Sequence, residues 1–414
     1  MKLNLRQQIT QFAQVMQSSL FPALQDELGL LTGPAKRLVA VLEMIPMARF
    51  IPCGRGWIGR PAKDRLAIAS AFVAKAIYGF ATTRALRHAL AKDEQLRQIC
   101  GWRQAWQVPH EATFSRAFSE FAKMQLPVFV HEALIRESQS GRLVGHIARD
   151  ATAIEARERM AETAAQRTQR LGPRKAKLNE ERKQARKQAR EAHPGIQQPR
   201  RKPGSRGPHQ RYPGGKRPYQ TPPDTRLQRQ RCMSLPEMLE ELPKQCDIGA
   251  KKNSQGHPQY WRGYKLHLDV ADGQVPISAV LTSASVHDSQ AAIPLATMTT
   301  QRVTYCYELM DAAYDALHIR QQSCSMGHVA IIDPNQRGAQ QPPFQPSAAP
   351  ELSPAQQQRY RERNMVERVN ARIKDDFGGR TIRVRGHAKV MTHLMFGILA
   401  LTVEQLLRLV EMRV

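Results

Sequence analysis

The order of apolar patterns between residues 144 and 400 constrains this chain most. "LVGHIARDATAIEA" reads as a strand, with Asp150 near its middle or end. After a long interruption, "RGYKLHLDVA" and "VPISAVLTSAS" read as strands joined at Asp272-Gly273, a dipeptide suited to a tight hairpin turn. "HDSQAAIPLATM" then reads as a helix. "VTYCYELMDAAYDA" reads as a buried strand ending at Asp311; a helix follows, and "HVAIIDPN" is another strand. The order is strand, insert, strand, strand, helix, strand, helix, strand, helix. Tight hairpins pair strands antiparallel, whereas crossovers through helices pair them parallel.

The expected fold class is therefore α/β, a ribonuclease H-like mixed sheet flanked by helices. Residues 1–140 are expected to form an N-terminal, all-helical, DNA-binding domain. "RPAKDRLAIASAFVAKAIYGF" has helical periodicity, "TTRALRHALAKDEQLRQICGW" has a Thr start and a Gly stop, and "VPHEATFSRAFSEFAKM" opens on Pro109. Short helices ending in one with Thr113, Ser115 and Arg116 near its start are compatible with a helix-turn-helix, and equally with a plain bundle. The catalytic domain is expected over 141–400, with 401–414 as the end of a C-terminal helix. That helix, "VMTHLMFGILALTVEQLLRLV", is apolar but interrupted by His393 and Glu404, and reads first as a packing element.

"RYRERNMVERVNARIKDDFGG" is the most informative single stretch. A helix turns about 100° per residue, so Tyr360, Arg363, Glu367 and Lys374 fall on one face. Val366, Val369, Ile373 and Phe377 form a second stripe at core-like spacing. One side can dock while the neighbouring side presents a phenol, a guanidinium, a carboxylate and an ammonium.

The chain carries a formal net charge of +26 over 414 residues. A field of that sign concentrates polyanions, so nucleic acid is the expected partner ahead of anionic membrane. Residues 166–231 hold twenty Lys or Arg against four acids, more than half of the net charge. This segment is Pro/Gly-rich in its second half and too polar to bury a core. It is read as a basic, largely disordered insert over 158–255, lying along phosphates or serving as a solvated linker. The six cysteines are scattered without a C-x-x-C pair, which fits reduced thiols. No secretory signal or membrane span is read, so a cytoplasmic, nucleoid-associated protein is expected.

Asp150 on the first strand, Asp311 at a strand end and Glu367 on the last helix are three hard-oxygen ligands on rigid elements. That is what a two-metal phosphoryl-transfer site needs. Each carboxylate alone is as well explained as a turn former, a cap or an intrahelical ion pair; Asp333 rivals Asp311, and Asp315 reads as a cap. His267 and His287 read as structural, and Trp261 as core or as a platform for an unstacked base.

The helix resembles the Y-x2-R-x3-E-x6-K signature of DDE transposases from bacterial insertion sequences, which Tyr360, Arg363, Glu367 and Lys374 match without departure. "RDATAIEA" looks like that family's first-Asp strand and "MDAAYDA" its second-Asp block. The separation of 56 positions from Asp311 to Glu367 leaves little room for the β-rich insertion some relatives carry. The resemblance implies two Mg²⁺ ions, with Mn²⁺ substituting, held by Asp150, Asp311 and Glu367. It implies cleavage at element ends and transfer of the freed 3′-OH into target DNA. Tyr360, Arg363 and Lys374 would bind phosphates, and a homodimer or larger synaptic assembly would form on the terminal inverted repeats. The alternatives are a nuclease of the same fold without strand transfer, and a catalytically decayed DNA-binding protein.

Overall fold

A computed structural model describes residues 5–52, 63–158, 184, 225–252, 256–334 and 352–410. Residues 1–158 and 226–414 form one compact unit and 159–225 a second. The second unit, apart from residues 184 and 225, and with it most of the expected basic insert, lies outside the described residues.

Among the described residues the sheet has six strands: β1 (Leu143–Glu155), β2 (Asp247–Lys252), β3 (Pro258–Ala271), β4 (Val275–Ser283), β5 (Thr304–Met310) and β6 (Val329–Ile332). β1 is central, antiparallel to β3 and parallel to β5; β6 adds in parallel beyond β5. On β3, the N-terminal half pairs with β2 and the C-terminal half with β4, both antiparallel. The mixed pairing expected from the strand order is present. The β3–β4 turn falls at Asp272-Gly273, where Gly273 has φ 81°. Asp272 anchors this turn to β1: its Oδ2 accepts from the Gly145 and His146 amides at 2.8 and 3.0 Å.

Among the described residues, eight α-helices precede the sheet: α1 (Leu5–Val15), α2 (Phe21–Leu28), α3 (Gly33–Met44), α4 (Arg65–Ile77), α5 (Thr83–Lys92), α6 (Glu94–Ile99), α7 (Glu111–Lys123) and α8 (Leu126–Ser138). Asp64, Thr82, Asp93 and His110 cap α4 to α7 with side-chain acceptors, satisfying amides that a helix start leaves open. On α7, Phe114, Ala117, Phe118 and Phe121 face the core, while Ser115 and Arg116 are exposed and Thr113 is half-buried.

Residues 226–252 were grouped with the basic insert, and here the structure differs. They form α9 (Arg226–Gln230), α10 (Leu235–Glu241) and strand β2. Local signals hidden by the basic composition explain this. Ser234 and Glu237 make a reciprocal capping box at the start of α10, and Met238 and Leu242 are buried. The remaining helices are α11 (Ala292–Thr300), α12 (Leu317–Ser325), α13 (Pro354–Tyr360), α14 (Asn364–Asp375) and α15 (His387–Arg408).

Helix α15 is the hub. It packs on α3, α4, α7, α8, α14 and β4, so the N-terminal helices and the sheet share one core. Phe396 stacks on Phe72 with centroids 5.8 Å apart. A Cβ on Gly397 would lie 2.9 Å from the Phe377 backbone, so glycine there lets α15 close on the end of α14. By length and composition α15 is apolar enough to cross a membrane, yet it is almost entirely buried inside the protein. Its Glu404 is paired with Arg372 at 2.6 Å.

Candidate active site

Asp150 lies on β1 and Asp311 directly follows β5. The last ladder pair between these parallel strands is Ala148–Leu309. Each aspartate stands two residues beyond it, so both project from the same level, Asp150 within β1 where its pairing with β5 stops and Asp311 just past the end of β5. Carboxyl ends of strands in open α/β sheets are where ligand-binding groups collect.

The two environments differ. Burial raises the Asp150 carboxyl to about 6, the charge of Asp311 adds to this, and Arg363 opposes it. Its Oδ2 accepts from Asn370 Nδ2 of α14 at 3.0 Å. The other amide atom, Asn370 Oδ1, is buried without a hydrogen-bond partner among the described residues. Burial also raises Asp311, against a hydrogen bond from the Ala313 amide at 3.0 Å that caps the turn after β5.

The signature residues are on a helical path that is not uniform. α13 ends at Tyr360, a 3₁₀ turn covers Arg361–Arg363, and α14 begins at Asn364. Side chains three apart eclipse in a 3₁₀ turn, which brings the Arg363 guanidinium to 5.8 Å from the Tyr360 ring centroid. Arg363 Nη2 donates to Glu367 at 2.5 Å, and its charge acts on both Asp150 and Asp311. Burial alone would lower Arg363, but Tyr360, Glu367, Asp150 and Asp311 around it leave its pKa raised. Tyr360 is raised by burial. Val366, Val369, Ile373 and Phe377 are all buried, so the apolar stripe docks as expected.

Asp150, Asp311, Arg363 and Tyr360 are thus brought together, with Glu367 joined to them through Arg363. Glu367 does not converge on the aspartates: its side chain is half-exposed and turned to Arg363. Among the described residues, no group of three or more His, Cys, Asp or Glu is gathered tightly enough to hold an ion. Like charges this close repel, and each carboxylate is satisfied elsewhere: Asp150 by Asn370, Asp311 by its own turn, Glu367 by Arg363. The donor set still fits a hard divalent cation. Two carboxylates share one level, the unpartnered Asn370 oxygen belongs to the amide that already holds Asp150, and Glu367 is joined to them through Arg363.

Lys374 lies farther off. Seven residues beyond Glu367 on the same face is about 10 Å along the axis, so it opens on a separate groove. Asp333, the rival carboxylate, is exposed after β6, and its charge acts on Tyr360. Asp315 pairs with Arg320 at 2.9 Å. His267 is buried against Thr282 at 2.9 Å, and Trp261 is buried with its indole N–H on the Tyr264 carbonyl at 3.0 Å. His287 caps the turn after β4, exposed, and its charge acts on Asp311.

Sequence reasoning missed five residues. Asp288, in the turn after β4, acts on both Asp150 and Asp311 and is neutralised by Lys265 at 2.8 Å. Asn370 is the second. The other three are Arg149 and its acceptors Asp269 and Glu308, packed next to the site on the same strands. Arg149 is fully buried, bidentate to Asp269 of β3 at 2.8 Å, and 3.3 Å from Glu308 of β5. Glu308 also accepts from Tyr305 at 2.6 Å and from Ser323. Burial opposes its charge, but Arg149 and these hydroxyls hold it below the usual carboxylate range. The one available signal was a charged residue inside an apolar strand run: "HIARD", "LHLDVA" and "CYELM".

Two family models match the sequence. One, described as "Transposase DDE domain", covers residues 228–403; the other, "Transposase domain (DUF772)", covers 30–120, and together they span more than half of the 414 residues. Asp311 and Glu367 lie inside the first match, whereas Asp150 lies before it. No curated protein and no solved structure matches the chain.

Proposed function

We propose a reaction for this chain on the premise that it belongs to the DDE transposases of insertion-sequence type, as its two transposase domains show. The reaction is divalent-metal-dependent cleavage of double-stranded DNA at the element's terminal inverted repeats, followed by strand transfer into target DNA. One observation carries the reading: Asp150 and Asp311 stand level on adjacent parallel strands, beside an arginine that already holds Glu367.

Asp150, Asp311 and Glu367 would hold the ions, Mg²⁺ or Mn²⁺, which when bound supply Lewis-acid activation of the attacking oxygen and stabilisation of the leaving one. The chain's own groups position and neutralise. Asn370 orients the Asp150 carboxylate. Arg363, backed by the Tyr360 ring, presents a planar fork to a phosphate. An incoming phosphate competes with Glu367 for that fork, and Glu367, once released, turns toward the aspartates. Lys265 holds Asp288 as a neutral pair, so the fourth carboxylate adds little to the repulsion. Lys374 binds a phosphate farther along the strand. Residues 1–140 contribute duplex binding, with the exposed Ser115 and Arg116 face of α7 as the contact; 141–400 carry the chemistry. The active form is a homodimer or larger assembly on paired ends.

The test uses DNA carrying the gene's own flanks, Mg²⁺ or Mn²⁺, and the wild-type or Glu367→Gln chain. Breaks at the element ends and products joined to target DNA are expected from wild type; the variant should bind DNA but do neither. Cleavage without joining would select the nuclease reading. Binding without cleavage by wild type would select the decayed protein. Wild-type cutting by Glu367→Gln would remove Glu367 from the ligand set.

A further inference from the structure

Beyond the aspartates, the end of β1, the β2–β3 hairpin and the end of α14 enclose a groove. Three cations line it: Lys251 on β2, Lys374 on α14 and Arg380 just after α14. Two acids stand with them. Asp375 pairs with Arg380, and Glu155 lies on the rim at the end of β1. Lys251 and Lys374 have no hydrogen-bond or ion-pair partner among the described residues. Lys374 is half-buried, and burial, then Lys251 and Arg380, disfavour its charge. Two ammonium groups gathered without a direct ion-pair partner, beside an arginine held by one acid, leave the groove with surplus positive charge that suits an anion.

The aromatic pair on β3 adds a second feature. Trp261 is committed to the fold: its indole lies across β2, where a Cβ on Gly249 would come within 2.3 Å of the ring. Tyr260 is the reverse. It lines the same groove and is 70% exposed, which is unusual for a large aromatic on a sheet. A free ring beside two unpaired ammonium groups matches a nucleotide: phosphate for the ammonium groups, a base face for the phenol. A paired, stacked duplex offers no base face, so the fit is to an unpaired strand.

We propose that this groove binds a single-stranded stretch of DNA leaving the active site, with its phosphates on Lys251, Lys374 and Arg380 and a base stacked on Tyr260. The inference rests on the DNA-processing reading of the adjoining carboxylates, to which the groove is joined through Lys374 and β1.

The test measures binding, not turnover. Labelled single strand, blunt duplex and duplex with a single-stranded tail are titrated by fluorescence anisotropy against wild type, Tyr260→Ala, Tyr260→Phe and Lys251→Ala. Both side chains are exposed, so the variants should keep the wild-type unfolding midpoint. Tyr260→Ala should weaken single-strand and tailed-duplex binding roughly tenfold, with Tyr260→Phe near wild type. Lys251→Ala should lower the salt slope for single strand by about 0.7. Blunt-duplex binding should hold within about twofold. Equal losses on all three DNAs, or none, would overturn the groove. If the tailed duplex responds as expected but wild type cuts nothing with Mg²⁺ or Mn²⁺, the groove stands and the adjoining reading falls. If wild type cuts and joins while the tail is indifferent to both substitutions, the reverse holds.

Discussion

Replacing Arg149 by Met isolates what holds the two aspartate-bearing strands in register. The guanidinium bridges β3 and β5 from β1, and all three charged side chains are at most 1% exposed. Removing one member of a buried ionic set costs about 3–5 kcal/mol. A second route agrees. The stranded carboxylates can escape by taking a proton, and protonating one ordinary carboxyl at pH 7 costs about 3.7 kcal/mol. Hydroxyls from Thr299, Tyr305 and Ser323 remain to soften the loss. With about 2.1 cal/mol/K of unfolding entropy per residue, 4 kcal/mol corresponds to a fall of about 5 °C in midpoint. The deficit must depend on pH. In wild type, Glu308 is held below its unfolded pKa, so its contribution is full at neutral pH and fades as pH falls through the folded value. In the variant, the carboxyls are raised, so protonation relieves them as pH falls. At pH 5 the protonation cost is only about 1 kcal/mol per group, and the deficit should shrink to less than half. Urea unfolding of both proteins at neutral pH and at pH 5 measures this. Equal deficits at the two pH values, or midpoints within about 1 °C, would refute it.

Two further outcomes follow. Asp150→Asn should stabilise the metal-free protein above about pH 5, because with the folded carboxyl raised to about 6 the buried carboxylate costs stability that builds up as pH rises from the ordinary unfolded value near 4 to about 6 and is constant beyond. The gain, up to about 3 kcal/mol at pH 8 and absent near pH 4, is read by thermal unfolding with chelator; a loss of stability at pH 8 would contradict it. Phe396→Ala removes a ring that meets Phe72 at 5.8 Å and Phe118 at 6.4 Å, and should cost about 3–5 kcal/mol by urea unfolding; a cost under 1 kcal/mol would mean that α15 is not the core element described.

The strands, the Asp272-Gly273 turn and the buried stripe Val366–Val369–Ile373 were legible because each is written in local periodicity. The level placement of Asp150 and Asp311 was not: β1 and β5 are separated in the chain by β2, β3 and β4, and only their parallel register aligns the two carboxylates. What escaped was set by distant partners. The Arg149 cluster joins residues more than a hundred apart, and nothing local distinguishes such an arginine from a surface one. Asn370 carries no motif; its role exists only because α14 crosses β1. The Arg363–Glu367 pair was legible as an i,i+4 ion pair, whereas the 3₁₀ turn at Arg361–Arg363 that precedes it leaves no mark in the spacing. The strand β2 was hidden because composition was averaged over a window dominated by its basic neighbours.

The position of α15 also governs how this protein comes to be folded. Its partners α3 and α4 are more than three hundred residues earlier in the chain. Contacts of that separation give a high contact order, and closure of such loops precedes any reward from packing, so folding should be slow. Until docking completes, a 22-residue apolar helix waits unburied, and chaperones, membranes and other copies of the chain all compete for it. Mutations that loosen the docking site of α15 should therefore lower the yield of folded protein well before they alter any chemistry at the carboxylates.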